Sequence, residues 1–240
     1  MRIDALVFAA HPDDAELSMG GTIAKLSAHG LKVGIVDLTL GELGTRGSAE
    51  IRQNEAIQAG IILKAELREN LRIADGNIEV SQENLMRLVH MIRKYKPKVI
   101  FAPYFNDRHP DHISASQLVK KAYFYSGVGK IHTYENEHLQ HSYRPDALYY
   151  YMQTYEFQPS FIVDITETFD TKMKAVKAFS SQFFDPKNKE PETFISKRDF
   201  LEFIEARAKL YGFRIGKGYG EAFFTEEQIE LDLVHKLKHH

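Results

Sequence analysis

The amino-acid sequence predicts an α/β fold in which helices cover both faces of a mostly parallel sheet. Two observations support this prediction: short apolar runs of strand length alternate with longer segments at helical spacing, and the first runs are apolar throughout. Strands of parallel sheets have this pattern, because crossover helices bury both faces of the sheet. The 240 residues suffice for one large domain, and no linker-like segment divides them, so we expect a single domain over 1–240.

The predicted elements follow one another in a regular order. A continuous apolar run, IDALVFAA, leads through a helical segment to a second run, KVGIVDLTL, and Ser81 is the expected N-cap of the helix before KVIFAPYF. The polar stretch 134–144 fits neither pattern. The strand-like runs occupy 3–10, 32–40, 65–70, 98–105, 145–152, 159–166 and 220–224. The helical segments occupy 16–30, 49–63, 81–95, 113–127, 168–184 and 196–213.

Composition restricts the classes of partner and ligand. Lys and Arg total 31 against 33 for Asp and Glu, so there is no basic footprint for nucleic acid or an anionic membrane, and we expect a small-molecule partner. The chain has no cysteine, which leaves histidine and carboxylate side chains as the strong metal ligands. The first apolar run is too short for a signal peptide or a membrane span, and we therefore expect a cytoplasmic protein.

A His-Pro-Asp motif occurs twice, each time after an apolar run and before a helical segment. The first copy follows the first predicted strand, and the second follows the fourth. In a doubly wound sheet of order 3-2-1-4-5 these two strands are neighbours, and ligands bind in the crevice beyond their carboxyl ends. Both copies should therefore face one crevice. The imidazoles and carboxylates that they supply belong to His11, Asp13, Asp14, His109, Asp111 and His112.

These side chains suit a metal-assisted hydrolase. Two histidines and one carboxylate leave coordination positions open on Zn²⁺, and Fe²⁺ accepts the same donors. A further carboxylate can then take a proton from water, and a further histidine can stabilise an oxyanion. Each copy alone also fits a helix cap or a turn. A dinucleotide site is disfavoured, because acidic residues replace the glycine-rich turn, and Gly20 and Gly21 come later, where they suit close helix packing.

The segments AHPDDAELSMGGT, DLTLGELGTRGS, RQNEA and PYFNDRHPDH, in this order, resemble the LmbE-like, or PIG-L, family of zinc-dependent N-deacetylases. The resemblance implies a Rossmann-like fold and a substrate that contains N-acetylglucosamine. The loop GELGTRG is most similar to the bacillithiol-pathway branch, which deacetylates N-acetyl-α-D-glucosaminyl L-malate. The family resemblance also implies a homo-oligomer, either a trimer or a hexamer built as a dimer of trimers.

The resemblance assigns roles to the motif residues. It makes His11, Asp14 and His112 the metal ligands. Asp13 becomes the general base that activates water, His109 the cationic group at the oxyanion, and Asp111 the partner that orients an imidazole, with His109 as the expected one. The residues alone do not distinguish Asp13 from Asp14, because either carboxylate can reach the metal.

Substrate contacts are expected from the loop after the second strand. Glu42 and Arg46 lie in GELGTRGS, and Arg52 lies one turn into the following helix. Arginine grips carboxylates with two parallel hydrogen bonds, so Arg46 or Arg52 is expected to hold an anionic aglycone, although helix arginines also serve as ion-pair partners. Two other functions stay open: deacetylation of another N-acetylglucosamine derivative, such as a chitooligosaccharide or an antibiotic precursor, and a non-catalytic metal- or ligand-binding module.

Overall fold

The computed structural model describes residues 2–186 and 188–230, and a seven-stranded sheet forms its centre. The strands are β1 (Ala5–Ala9), β2 (Val33–Asp37), β3 (Leu67–Asn70), β4 (Val99–Pro103), β5 (Tyr134–Glu135), β6 (His138–Leu139), β7 (Ala147–Tyr151), β8 (Phe161–Asp164) and β9 (Gly220–Phe224). The helices are α1 (Asp14–Ala28), α2 (Ala49–Leu63), α3 (Gln82–Tyr95), α4 (Pro110–Ser126), α5 (Phe169–Lys177) and α6 (Phe200–Arg214).

The strand order across the sheet is β3-β2-β1-β4-β7-β9-β8. All pairs from β3 to β7 are parallel, and β9 runs antiparallel to both of its neighbours. The predicted fold class is confirmed, and so is the predicted pairing of the first and fourth strands, since Ala5 of β1 lies opposite Val99 of β4. The turns that follow these two strands therefore lie side by side at one edge of the sheet.

Helices cover both faces of the sheet, because successive strand residues point to opposite sides. On β1, the buried Leu6 and Phe8 belong to a core shared with α3 and α4. Val7 and Ala9 belong to the second core, to which α1, α2, α5 and α6 contribute. Among the described residues, none of the helices has both the length and the apolar character that crossing a membrane requires.

Helix α1 packs closely against the chain near α5, as the two glycines predicted. A Cβ atom at Gly21 would lie only 2.6 Å from Cδ1 of Ile165, and one at Gly20 would lie 3.2 Å from Cγ of Lys172. The helix is also kinked, because Met19 has φ −142°. These features explain why α1 carries small residues at its centre.

The kink in α1 exposes backbone donors that a side chain from β9 satisfies. The Glu221 carboxylate accepts hydrogen bonds from the backbone N–H groups of Gly21 and Thr22, at 3.0 and 2.7 Å. Nζ of Lys172 lies 2.6 Å from the same carboxylate. This buried pair anchors the half of α1 that follows the kink, and so supports the turn at the start of the helix.

Helix α5 is shorter than the predicted segment 168–184. It ends at Lys177, and the chain that follows donates hydrogen bonds to Glu55 of α2. These come from Ser180 Oγ at 3.0 Å and from Ser181 N and Oγ at 2.7 Å. Bonds to a side-chain acceptor thus replace the next helical turn, a long-range effect that helical periodicity does not contain.

Two further boundaries differ from the prediction. Helix α6 begins at Phe200 rather than at 196, because Thr193 and Ser196 form reciprocal side-chain hydrogen bonds in a turn that precedes it. The polar stretch 134–144 contains a short hairpin of β5 and β6, with Asn136 and Glu137 at positive φ in its turn. Strands of two residues are too short to give a periodic signal.

Candidate active site

The first His-Pro-Asp segment forms the turn between β1 and α1. Asp13 is the N-cap of α1 and has φ 106° and ψ −27°, a region that non-glycine residues seldom adopt. Holding a residue in such a conformation costs about 1–3 kcal/mol and is common at functional sites. Oδ2 of Asp14 closes the turn by accepting a hydrogen bond from the His11 N–H at 2.9 Å. The side chains of Asp13 and Asp14 consequently contact different groups.

His11, Asp14 and His112 form a compact buried cluster. Nδ1 of His11 lies 3.4 Å from Oδ2 of Asp14, and Nε2 of His112 lies 3.4 Å from Oδ1. One ligand atom from each residue lies within 4.8 Å of the others. Two imidazoles and one carboxylate at this spacing can hold a metal ion, and the donor types suit Zn²⁺ or Fe²⁺. The residues therefore fit the predicted metal.

Asp107 orients His112. Its Oδ1 lies 2.8 Å from Nδ1 of His112, which leaves Nε2 facing Asp14, as second carboxylates do for metal-binding imidazoles. Burial acts to raise the pKa of Asp107, but the hydrogen bonds to His112 and to the backbone N–H groups of His109 and Thr154 together lower the pKa to about 2. Asp107 is not among the residues predicted from the sequence, although it stands two positions before the second His-Pro-Asp.

His11 has carboxylates at its other nitrogen. Nε2 lies 3.1 Å from Oδ1 of Asp75 and 3.3 Å from Oδ2 of Asp111, which also accepts a hydrogen bond from the Gly76 N–H at 2.7 Å. Burial acts to lower the pKa of His11, but these carboxylates and Asp14 raise it well above its ordinary value.

The partner expected for Asp111 needs correction, and a second carboxylate must be added. The Asp111 side chain hydrogen-bonds His11 instead of His109, because the start of α4 directs it toward the first turn. Asp75 reaches the site from the loop after β3, and no motif or spacing in the sequence predicts this contact.

His109 caps α4 and lies against the other two imidazoles. Its Nδ1 accepts a hydrogen bond from the Asp111 N–H at 3.2 Å, and Pro110 follows it in the first turn of the helix. Its ring centroid lies 4.7 Å from that of His11 and 4.9 Å from that of His112. Burial lowers the pKa of His109, and the neighbouring His11 and His112 lower it further.

Asp13 faces Arg52. Nη2 of Arg52 lies 3.3 Å from Oδ2 of Asp13 and donates a hydrogen bond of 2.7 Å to the Pro12 carbonyl. Burial raises the pKa of Asp13 to about 7, against the opposing effect of the Arg52 charge. A carboxyl group with a pKa near neutrality is suited to accept and release a proton.

These groups open into a cavity of about 520 Å³, a volume within the range of small-molecule sites. Its polar end carries His11, Asp13, Asp14, His109 and His112. The second half of the chain contributes another part of the wall, which includes Gln153, Thr154, Phe194, Phe200, Phe203 and Arg207.

The three residues predicted to contact the substrate differ in their positions relative to the cavity. Among the described residues that line the cavity, Arg52 is present, whereas Glu42 and Arg46 are not. Glu42 is exposed and accepts a hydrogen bond from the Asp75 N–H at 2.9 Å. Arg46 is buried and donates to the carbonyl oxygen of Phe183 at 3.3 Å. Substrate binding by these three residues stays a prediction.

The sequence of residues 6–123 matches the PIG-L family, described as GlcNAc-PI de-N-acetylase. The chain belongs to the PIG-L family. The expected family is thereby confirmed, and the matched segment contains all the residues of both His-Pro-Asp motifs.

Several proteins resemble this PIG-L chain in sequence, and two solved structures also resemble it in fold. The diacetylchitobiose deacetylase of Thermococcus kodakarensis is 28% identical over 190 residues, which are 74% of this chain and 69% of that protein. The structure of N,N'-diacetylchitobiose deacetylase from Pyrococcus horikoshii has a TM-score of 0.79 and 29% identity, covering 92% of this chain and 82% of the other. A conserved protein of Thermus thermophilus has a TM-score of 0.85 and 35% identity, covering 96% of this chain and 98% of the other.

The cavity is lined by residues inside and outside the segment that matches the PIG-L family. Residues 6–123 supply the histidine and carboxylate end of the cavity, whereas the aromatic wall lies beyond the matched segment. The matched segment therefore contains the reactive groups, and the aromatic wall belongs to the part of the chain outside the match.

Proposed function

We propose that this chain is a zinc-dependent N-deacetylase that hydrolyses the N-acetyl group of N-acetyl-α-D-glucosaminyl L-malate in bacillithiol biosynthesis. One observation carries the proposal: the Asp14 carboxylate lies between two imidazoles while the adjacent Asp13 carboxylate faces the same cavity. PIG-L membership supports the reaction class. The GELGTRG loop supports the malate glycoside as substrate.

His11, Asp14 and His112 would hold the metal ion, with Zn²⁺ as the first choice and Fe²⁺ as the alternative. When bound, such an ion polarises a carbonyl group and makes water more acidic. The buried positions of these three side chains fix their directions before any ligand arrives.

Asp13, His109 and Asp111 have separate roles in the hydrolysis. Asp13 accepts a proton from the water that attacks the acetamide carbon, and later gives it to the leaving amine as the C–N bond breaks. His109 stabilises the negative charge that develops on the carbonyl oxygen. Asp111 holds His11 in place. The products are acetate and the free amine of the glucosaminyl glycoside.

Two kinds of alternative remain: a different N-acetylglucosamine substrate, and a protein that binds metal without catalysis. A chitooligosaccharide is the first alternative, because two relatives are named diacetylchitobiose deacetylases; an antibiotic precursor is another. A metal-binding module without turnover is the non-enzymatic alternative.

We also propose one domain over the whole chain, a cytoplasmic location and a trimer or hexamer. Light scattering that gives the mass of a monomer would contradict the proposed assembly.

Release of free amine from N-acetylglucosaminyl malate tests the proposed function. The purified protein is assayed as prepared, after treatment with a chelator, and after addition of Zn²⁺ or, without oxygen, Fe²⁺. We expect the amine to disappear on chelation and to return with metal. A panel of N-acetylglucosamine glycosides, compared by kcat/KM, identifies the aglycone. Absence of amine from every glycoside with every metal would contradict the deacetylase function.

A further inference from the structure

One wall of the cavity is aromatic. Phe194, Phe200 and Phe203 follow one another along it, and their ring centroids are 5.8 Å apart for the first pair and 6.3 Å for the second. Phe194 and Phe203 are exposed by 48% and 45%, so this wall is accessible from outside the cavity. An apolar surface of this kind packs against the face of a ligand, but it does not neutralise a charge.

Two arginines rest on the ends of this aromatic wall. The guanidinium carbon of Arg108 lies 4.5 Å from the ring centroid of Phe194, and that of Arg207 lies 5.4 Å from the ring centroid of Phe203. Both arginines line the cavity. A guanidinium group that stacks on a ring keeps N–H donors at its edge for a bidentate contact with an anion.

Neither guanidinium group has a carboxylate at ion-pair distance in the part of the chain that the structure describes. Arg207 donates to the carbonyl oxygen of Gln153, which carries no charge, and the nearby Glu221 is paired with Lys172 at 2.6 Å. Burial lowers the pKa of Arg207, although neighbouring acidic groups, among them Glu221 and Glu156, act in the opposite direction.

Both arginines lie close in the chain or in space to Asp107, the carboxylate that orients His112. Oδ2 of Asp107 accepts a hydrogen bond from the Thr154 N–H at 2.8 Å. Gln153, the partner of Arg207, precedes Thr154, and Arg108 directly follows Asp107. Arg207 is therefore tied by its hydrogen bond to the segment that contacts Asp107, whereas Arg108 is exposed and is placed near Asp107 by the backbone and by its contact with Phe194.

We propose that Arg108 and Arg207 form an anion-binding subsite that selects N-acetylglucosaminides with a carboxylate or phosphate on the anomeric substituent. The subsite rests on the proposed function, because the anion is taken to be part of a deacetylase substrate. The carboxylates at the polar end of the cavity repel an anion, which places the anionic group on the wall that carries the arginines. The acetamide then faces Asp13.

Kinetics on a matched series of glycosides test the subsite. The series consists of methyl N-acetyl-α-glucosaminide, N-acetylglucosamine 1-phosphate and N-acetylglucosaminyl malate, which differ only at the anomeric position. We expect Arg108→Gln and Arg207→Gln each to raise KM for the anionic members by about tenfold or more, since a hydrogen bond to a charged group is lost. The value of kcat for all members, and KM for the methyl glycoside, should stay within about threefold. A higher KM for both the phosphate and the malate compound indicates a general anion site. A higher KM for the malate compound alone indicates a carboxylate site.

Controls separate the subsite from folding and from the deacetylase function. Arg144→Gln is the matched control, because Arg144 also stacks on a phenylalanine, at 4.8 Å from the Phe124 centroid, but does not line the cavity. Arg207→Lys keeps the charge, and melting curves report whether each variant folds. Equal losses on the methyl and anionic glycosides, or no loss on either, would overturn the subsite while leaving deacetylation intact. If the wild-type protein releases no amine at all, calorimetry with free malate decides: binding that both Gln variants weaken supports the subsite, and its absence contradicts it.

Discussion

Nη2 of Arg52 lies 3.3 Å from Oδ2 of Asp13, although 39 residues separate the two in the sequence. The same guanidinium group donates to the Pro12 carbonyl at 2.7 Å and to the Gly41 carbonyl at 3.0 Å. Arg52 therefore ties the strained turn after β1 to the loop after β2. Since Asp13 is the proposed base, the position of this carboxylate depends on a residue of another helix.

Replacement of Arg52 by alanine should reduce kcat by about tenfold or more, because the charged contact that positions Asp13 is lost. The measurement is steady-state kinetics on N-acetylglucosaminyl malate. The same assay on Arg46→Ala tests the expectation that one of these guanidinium groups grips the aglycone. A rise in KM for either variant supports that expectation, and an unchanged KM for both contradicts it.

The adjacent aspartates should respond differently to substitution. We expect Asp13→Asn to keep the bound metal and to lose activity by roughly 10²–10⁴-fold, the usual contribution of a general base. Asp14→Ala should lose the metal itself, because the carboxylate between His11 and His112 is removed. Elemental analysis after gel filtration gives the metal content, and equal content in the two variants would show that the roles are assigned wrongly.

Arg68 is expected to contribute strongly to stability. Its guanidinium group contacts Asp37 at 2.7 Å and Glu16 at 2.5 Å, and all three side chains are buried. Arg68→Ala leaves two buried carboxylates without a counter-ion, which costs about 3–5 kcal/mol. Lys32→Ala is the control, because its pair with Glu66 is exposed and such pairs contribute about 0–1 kcal/mol. Urea denaturation of both variants measures the difference, and similar losses would refute the assignment.

Two helical glycines should differ in their tolerance of a methyl group. Gly21→Ala places a Cβ 2.6 Å from Ile165, and overpacking of this kind costs about 1–3 kcal/mol. At Gly60 of α2 the nearest atom to a new Cβ is Cδ of Arg68, at 3.9 Å. Gly60→Ala should therefore leave stability unchanged or raise it by up to about 1 kcal/mol, the gain in helix propensity. Thermal unfolding compares the two, and destabilisation by Gly60→Ala alone would contradict the packing described for α1.

The sequence was sufficient to place the two His-Pro-Asp motifs in one crevice. The apolar runs identify β1 and β4, and the rules of parallel sheets make these strands neighbours, so the approach of His11 to His112 follows from topology. Asp75 and Arg207 could not be found in this way. Each reaches the cavity from a distant segment, and neither spacing nor periodicity encodes such an approach.

Loop directions were also beyond prediction. Glu42 and Arg46 stand four residues apart in the loop after β2, yet the first is exposed and the second is buried against Phe183. Arg46 contacts the segment after α5, whereas Glu42 accepts a hydrogen bond from Asp75 in the loop after β3. Local sequence patterns determine elements, whereas contacts between distant segments determine which loop residues face a ligand.

The division of the cavity has a consequence for how such an enzyme can diversify. The reactive groups and Arg108 lie within residues 6–123, whereas the aromatic wall and Arg207 come from residues 194–207. Mutations accumulating in the later stretch of a duplicated gene can therefore change which glycoside is accepted while the hydrolytic chemistry is inherited intact.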